Sequence, residues 1–272
     1  MIKRIIQTTL VLSIVCSSAA AQGKKSFEAV KEQPGVVEQK LPRVDITSLK
    51  KNKKGAYVLF DGTSLTGWRG YNKTHVPSKW SIEDGTLKFS RQPNIDKAEG
   101  GDLVFGYDFK NFELEFEWRI SEAGNSGVFY LAKEIQGQPI YISAPEYQIL
   151  DNEKHPDAKM GVDGNRKSAS LYDMIPAKPQ NSKPAGEWNK SKIVVKGNVI
   201  QHFQNNVKVV EYKVRNKAWT DLLQASKFSE QKWPIAFGLL NNVGGASQSG
   251  LIGFQDHGDD VWYKNITVKV LK

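Results

Sequence analysis

Phe112-Glu113-Leu114-Glu115-Phe116-Glu117-Trp118-Arg119-Ile120 alternates apolar and charged residues without a break. Strand side chains point to opposite faces with a period of two, so Phe112, Leu114, Phe116 and Trp118 form one row. Glu113, Glu115, Glu117 and Arg119 form the other. A helix would scatter both sets around its circumference. A strand with one apolar face needs a second layer to cover it, and that requirement organises the rest of the chain.

Outward from this segment, the chain offers strands rather than helices. Ser126–Leu131, Glu146–Leu150, Lys192–Lys196, Val199–Phe203, Val207–Tyr212, Leu251–Gln255 and Trp262–Val270 are short runs of strand type. Asp84-Gly85, Gly197-Asn198 and Asn205-Asn206 are hairpin-type pairs. Helical spacing is clear only over 218–226, and no internal repeat is present. Many short strands with almost no helix predict an all-β domain of two packed sheets.

The strand texture begins near Tyr57. Residues 22–54 are polar and basic, with Pro34, Gly35, Pro42 and the run Lys50-Lys51-Asn52-Lys53-Lys54, and read as a linker or an arm on the domain surface. These basic runs lack the interleaved aromatics that stack bases, so no nucleic-acid partner is expected. Ahead of them, Lys3-Arg4, the apolar run 5–15 and the small residues Ser17-Ser18-Ala19-Ala20-Ala21 follow the order of a secretory signal, cut before Gln22. The net charge of +9 then falls to +7 as Lys3 and Arg4 leave. The apolar run is too short to span a bilayer, and no transmembrane segment is expected. Periplasmic or secreted placement follows. Lipoprotein anchoring through Cys16 is the weaker alternative, because Ser13-Ile14-Val15 is a poor match to the small residues wanted there. Cys16 is the sole cysteine, so signal cleavage removes thiol chemistry from the mature protein.

Six phrases are more distinctive than composition: Leu59-Phe60-Asp61-Gly62-Thr63-Ser64-Leu65-Thr66-Gly67-Trp68, Trp80-Ser81-Ile82-Glu83-Asp84-Gly85, Gly124-Asn125-Ser126-Gly127-Val128-Phe129-Tyr130, Glu146-Tyr147-Gln148-Ile149-Leu150-Asp151, Gly186-Glu187-Trp188-Asn189, and Gln255-Asp256-His257-Gly258 followed by Lys264-Asn265-Ile266. In this order the chain resembles the 3-keto-disaccharide hydrolase domain family from about Tyr57 to Leu271. The resemblance implies a concanavalin-A-like jelly-roll sandwich acting on glycosides oxidised to a ketone at C3. It departs from the family pattern at Leu131-Ala132-Lys133 and at Lys264, where arginine is common.

A C3 ketone acidifies the C2 proton and places the C1 leaving group β to the carbonyl. Proton abstraction, elimination and hydration then need a base, an enolate-stabilising donor and an acid. Direct hydrolysis between two carboxylates is the other solution. The expected catalytic residues are His257, Glu146 and Glu117, with His155 a weaker candidate. Arg119, Asn125, Gln148, Asp151 and Tyr141 are expected to contact substrate, with Tyr172 on the rim. Glu146 and Gln148 share one strand face, while Glu117 and Arg119 share the polar face of the opening segment. Trp68, Trp80, Trp188 and Trp262 read chiefly as core. No compact metal motif is present, and a divalent metal held by Glu146, Asp151 and His257 is left open. A small carbohydrate is the expected partner. A lectin-like, non-catalytic module and a conventional glucanase are the competing readings.

Overall fold

The structure is a computed structural model that describes residues 36–272. The expected signal segment, Cys16 and the first part of the arm lie outside the described residues. Thirteen strands run in chain order: β1 Tyr57–Phe60, β2 Trp68–Gly70, β3 Trp80–Glu83, β4 Thr86–Phe89, β5 Leu103–Phe109, β6 Phe112–Ile120, β7 Asn125–Ala132, β8 Glu146–Leu150, β9 Asn189–Lys196, β10 Val199–Gln204, β11 Val207–Lys213, β12 Gly250–Phe254 and β13 Val261–Val270. Two helices, α1 Lys217–Ala225 and α2 Pro234–Asn241, fall between β11 and β12.

The strands form two antiparallel sheets. The larger has eight strands, in the order β11-β10-β9-β6-β13-β4-β3 with β1 paired to β13, and the smaller is β2-β5-β12-β7-β8. The opening segment is β6, central in the larger sheet between β9 and β13. Its buried row meets the inner face of the smaller sheet, where the Phe116 ring lies 5.7 Å from Tyr147 and 6.1 Å from Phe254. Burying one such ring contributes about 1.5–3 kcal/mol.

Hydrogen bonds across the interior fix which face of each strand is inside. Ser191 Oγ on β9 receives the Trp118 Nε1–H at 2.9 Å and shares a hydrogen bond with the Tyr147 hydroxyl of β8 at 2.7 Å. Ser126 of β7 is likewise 2.9 Å from the Tyr263 hydroxyl of β13. Because Tyr147 points inward, Glu146 and Gln148 must point outward. Because Phe116 and Trp118 point inward, Glu117 and Arg119 point outward from the other sheet.

The outer face of the smaller sheet is divided along its strands. Toward one end, Phe129, Ala132 and Leu251 are covered by Tyr71, Ile140 and Ala144 in a second apolar cluster. Toward the other end, that face presents Asn125, Gly127, Gln148 and Gln255.

Residues 36–54 lie on the sandwich. Gln39 N–H donates to the Glu134 carbonyl, Val44 N–H donates to that of Gly106, and Ile46 is buried. Arg43 pairs with Asp108 at 2.8 Å and with the buried Glu134 at 3.1 Å. Helix α1 matches the one segment with helical spacing. Helix α2 was not expected: Pro234-Ile235-Ala236-Phe237-Gly238-Leu239-Leu240 is buried around most of its surface, which erases the amphipathic period.

Candidate functional site

Glu146 sits on β8 diagonally across from Gly127 of β7, and its carboxyl lies over that glycine. A Cβ at Gly127 would stand 2.9 Å from the Glu146 carboxyl carbon, so only glycine leaves the room. Glu146 is 8% exposed. Burial pushes its pKa up from 4.5 to about 8, with Asp102 and Asp157 adding to the rise and the Lys227 ammonium opposing it. The rise favours the protonated acid at neutral pH.

Around it stand polar atoms that the protein itself leaves unsatisfied. Both amide atoms of Gln148, Oδ1 of Asn125 and Oε1 of Gln255 are buried without a hydrogen-bond partner. Buried polar groups are ordinarily paired, so a cluster of exceptions on one sheet face marks a place shaped for a polar ligand.

His257 follows β12 in a loop held from three sides. Asp256 N–H donates to Asp102 Oδ1 at 2.9 Å, Gly258 N–H donates to Asp256 Oδ1 at 3.0 Å, and Gly101 N–H donates to Asp256 Oδ2 at 2.7 Å. Asp102 is thereby an anchor for the loop, and burial lifts its pKa to about 7. The His257 ring is exposed, with Nε2 3.3 Å from Asn125 Nδ2 and its centroid 6.2 Å from the His155 ring. His155 Nδ1 accepts Asp157 N–H at 3.1 Å, which leaves the neutral ring's proton on Nε2. Burial lowers the His155 pKa and favours that neutral form.

A cation closes the constellation. Lys227 Nζ lies 4.3 Å from the Tyr172 ring centroid and 5.0 Å from that of Phe228, with Tyr141 at 5.9 Å. Burial lowers its pKa, while the attraction of Glu146 pulls the other way. One chain of hydrogen bonds and ion pairs, starting at the backbone amide of Lys227, ties its segment to the His155 loop. Lys227 N–H donates to Asp173 Oδ2 at 2.9 Å, Arg166 bridges Asp173 at 2.7 Å and Asp157 at 2.8 Å, and the Tyr172 hydroxyl donates to Asp157 at 2.9 Å.

The expected residues thus divide. Glu146, Asn125, Gln148, His257, His155, Tyr172 and Tyr141 belong to this end of the smaller sheet. Glu117 and Arg119 do not. Glu117 accepts Asn265 Nδ2–H at 3.0 Å and lies 3.6 Å from Lys264 Nζ, on the outer face of the opposite sheet. Two polar strand faces look alike in sequence, and only the packing tells which sheet each belongs to. Asp151 is spent on the chain itself: Oδ1 accepts the Glu153 and Lys154 N–H groups, and Oδ2 accepts that of Ala123. With Asp151 so committed, Glu146, Asp151 and His257 do not form the metal set considered from the sequence, and no other trio of His, Cys, Asp or Glu gathers among the described residues. Lys227 and Asp102 went unnoticed. Gly100-Gly101 ahead of Asp102 is a local sign of close approach, since a Cβ on Gly100 would run into the Asp256 carboxylate, whereas Lys227 carries no local signal.

No helix among the described residues is long and apolar enough to cross a membrane. Residues 55–269 match the 3-keto-alpha-glucoside-1,2-lyase-like domain. A 3-keto-disaccharide hydrolase of Bacteroides thetaiotaomicron is 58% identical over 243 residues, covering 85% of this chain and 84% of that protein. Among solved structures, a proposed glycosyl hydrolase from Parabacteroides distasonis superposes with a TM-score of 0.68 at 28% identity, over 80% of this chain and 95% of that one. A second from the same organism, at 24% identity and a TM-score of 0.61 over 79% and 99%, shares the fold. The two-sheet sandwich, the polar end of its smaller sheet and the match along nearly the whole described domain agree: the chain belongs to the 3-keto-alpha-glucoside-1,2-lyase-like family of glycoside-cleaving enzymes.

Proposed function

We propose that this enzyme cleaves 3-keto-glucosides, 3-keto-disaccharides among them, by removing the C2 proton, expelling the C1 substituent and hydrating the resulting enone. The observation that carries the reading is the juxtaposition of an acid whose pKa burial raises, Glu146, with an exposed histidine, a desolvated lysine and unpaired amide atoms of Asn125, Gln148 and Gln255.

In this reading His257 takes the C2 proton, and the C–H electrons move into the C2–C3 enolate. Lys227 sits on the enolate oxygen, where its partly desolvated charge offsets the charge that develops. The C1–O bond then breaks, and the departing oxygen takes the Glu146 proton. Water adds at C1 and a proton returns to C2, giving the free 3-keto sugar. The three amides hold ring hydroxyls, which supply the acceptors and donors those amides lack.

Proton accounting tests this route. Turnover in D2O of a 3-keto-glucoside should give a 3-keto sugar deuterated at C2 in every product molecule. Product with hydrogen at C2, under conditions where the free keto sugar does not exchange, would instead indicate direct displacement at C1. The unoxidised glucoside should remain intact, because it has no carbonyl to acidify C2.

We further propose that the protein is exported, on the strength of the leader-like order of residues 1–21. N-terminal sequencing of the protein recovered outside the cytoplasm should begin at Gln22.

A further inference from the structure

The outer face of the larger sheet carries two cross-strand rows that the reaction does not use. Arg119 pairs in register with Trp262, and Trp262 with Lys88. With Trp188, which just precedes β9, they form a ladder of alternating rings and cations. The Arg119 guanidinium carbon lies 4.5 Å from the Trp262 ring centroid and 5.2 Å from that of Trp188. Lys88 stands 5.2 Å from Trp262, and Lys264 stands 3.9 Å from Trp188. In the neighbouring row Thr86 pairs with Glu83, and both share a wall with Lys264. A cavity of about 310 Å³ lies there. That is the lower end of the range of small-molecule sites.

The two lysines of the ladder have carboxylate partners: Lys88 pairs with Glu83 at 2.8 Å, and Lys264 lies 3.6 Å from Glu117. Arg119 has none. Its Nε is buried without an acceptor, and so is Nε1 of Trp262. Lys88 holds the Glu83 carboxyl below the ordinary range, and the Trp262 indole and the Arg119 charge add to that pull, although neither Trp262 Nε1 nor Arg119 Nε closes a hydrogen bond. The ladder therefore fixes two donor side chains in the lining of the cavity, with Glu83 close by but no hydrogen bond closed to Arg119 Nε or Trp262 Nε1. A planar guanidinium pinned between rings loses little entropy when it does bind.

The lining also decides the charge of the occupant. Arg119 and Lys264 are offset by Glu83 and Asp84 in the same wall. A carboxylate or sulfate would meet two like charges there. A neutral molecule offering both acceptors and donors would satisfy the wall. We propose that this cavity is a second, non-catalytic binding site for a neutral pyranose, on the outer face of the larger sheet and away from the polar end of the smaller one. Ring and hydroxyl oxygens accept from Arg119 and Trp262, and hydroxyls donate to Glu83 and Asp84. Such a site would hold a glycan to the protein while the other face works.

The test uses unoxidised maltose, so that it does not depend on the keto-sugar chemistry. In 15N-labelled protein, maltose should move the Trp262 indole N–H signal saturably. Arg119→Met keeps the apolar stem between the rings and should weaken that binding about tenfold, the loss expected for one charged hydrogen bond. Glu83→Gln, on an exposed hairpin, decides the matter if Arg119→Met does not fold, and should weaken binding through a lost acceptor. Glu146→Gln should leave the titration unchanged. Absence of a saturable shift, or equal shifts in wild type and both outer-face variants, would overturn the proposal and leave the ladder as a purely stabilising surface.

Discussion

Gly127 and Glu146 occupy a single space: the hydrogen that serves as the side chain of Gly127 is what allows the Glu146 carboxyl to lie across β7. The backbone at Gly127 does not require glycine, since its φ is not among the positive ones. The demand comes from the carboxyl alone. Gly127→Ala should therefore fold, with a modest loss of stability from crowding, of about 1–3 kcal/mol. It should cost far more in turnover than in Tm, because it displaces the acid. Thermal melts and kcat on one preparation check this.

Glu146 also makes stability fall with rising pH. Its pKa is about 8 when folded and near 4.5 when free, so between those values the native state binds more protons than the unfolded chain. Stability attributable to this group is complete below about pH 4.5 and is lost as pH rises through about 8. The amount is on the order of a few kcal/mol. Glu146→Gln should flatten the denaturation midpoint across that window while abolishing turnover. An unchanged pH slope in the variant would show that the carboxyl is not held protonated.

Lys227→Met keeps a side chain among Tyr172, Phe228 and Tyr141 but removes the charge. Loss of enolate stabilisation should lower kcat by about a hundredfold. A second effect follows from the sign of the field. Lys227 lowers the Glu146 pKa, so its removal raises it, and the alkaline limb of kcat should move to higher pH. A limb that stays put or moves down would remove Lys227 from the site.

His257→Ala should abolish deuterium exchange at C2 by about 10²–10⁴-fold, the usual contribution of a general base. His155→Ala should act more mildly, since His155 Nδ1 is already engaged with Asp157 N–H. NMR of the exchanging substrate, independent of bond cleavage, separates the two histidines.

In the core, His202 sets an acid limit on stability. Its Nδ1 donates to the Ala169 carbonyl at 2.9 Å and its Nε2 accepts from the Tyr130 hydroxyl at 2.7 Å, so the ring is neutral. Burial lowers its pKa from 6.5 to about 4. Between those values the unfolded chain binds the extra proton, and stability falls as pH drops, by on the order of 3 kcal/mol. His202→Gln should show a shallower loss from about pH 6.5 to 4 in chemical denaturation.

Much of the fold was legible because it rests on local alternation. The period of two in Phe112–Ile120 and in Glu146–Leu150 predicted which side chains share a face, and both faces stand as read. What alternation could not say is which polar face joins which. Glu117 and Glu146 look equivalent along the chain, yet the interior hydrogen bonds of Ser191 turn them away from each other on opposite sheets. Asp151 illustrates a different limit. An aspartate at a strand end suits sugar binding or turn capping equally, and three backbone N–H groups decided for the turn. Lys227 and Asp102 were out of reach for a third reason: each owes its role to neighbours more than forty positions away.

That last point bears on how activity comes into being. Asp102, Asn125, Glu146, His155, Lys227 and His257 span 155 positions, and no one hairpin holds even half of them. Contacts so distant in sequence close late and slowly. The geometry of the proposed site is thus expected to close in the final step of folding. Regain of turnover during refolding should coincide with the last spectroscopic phase, with no active intermediate before it. A half-folded chain would bury carbon and form strands, yet be chemically silent.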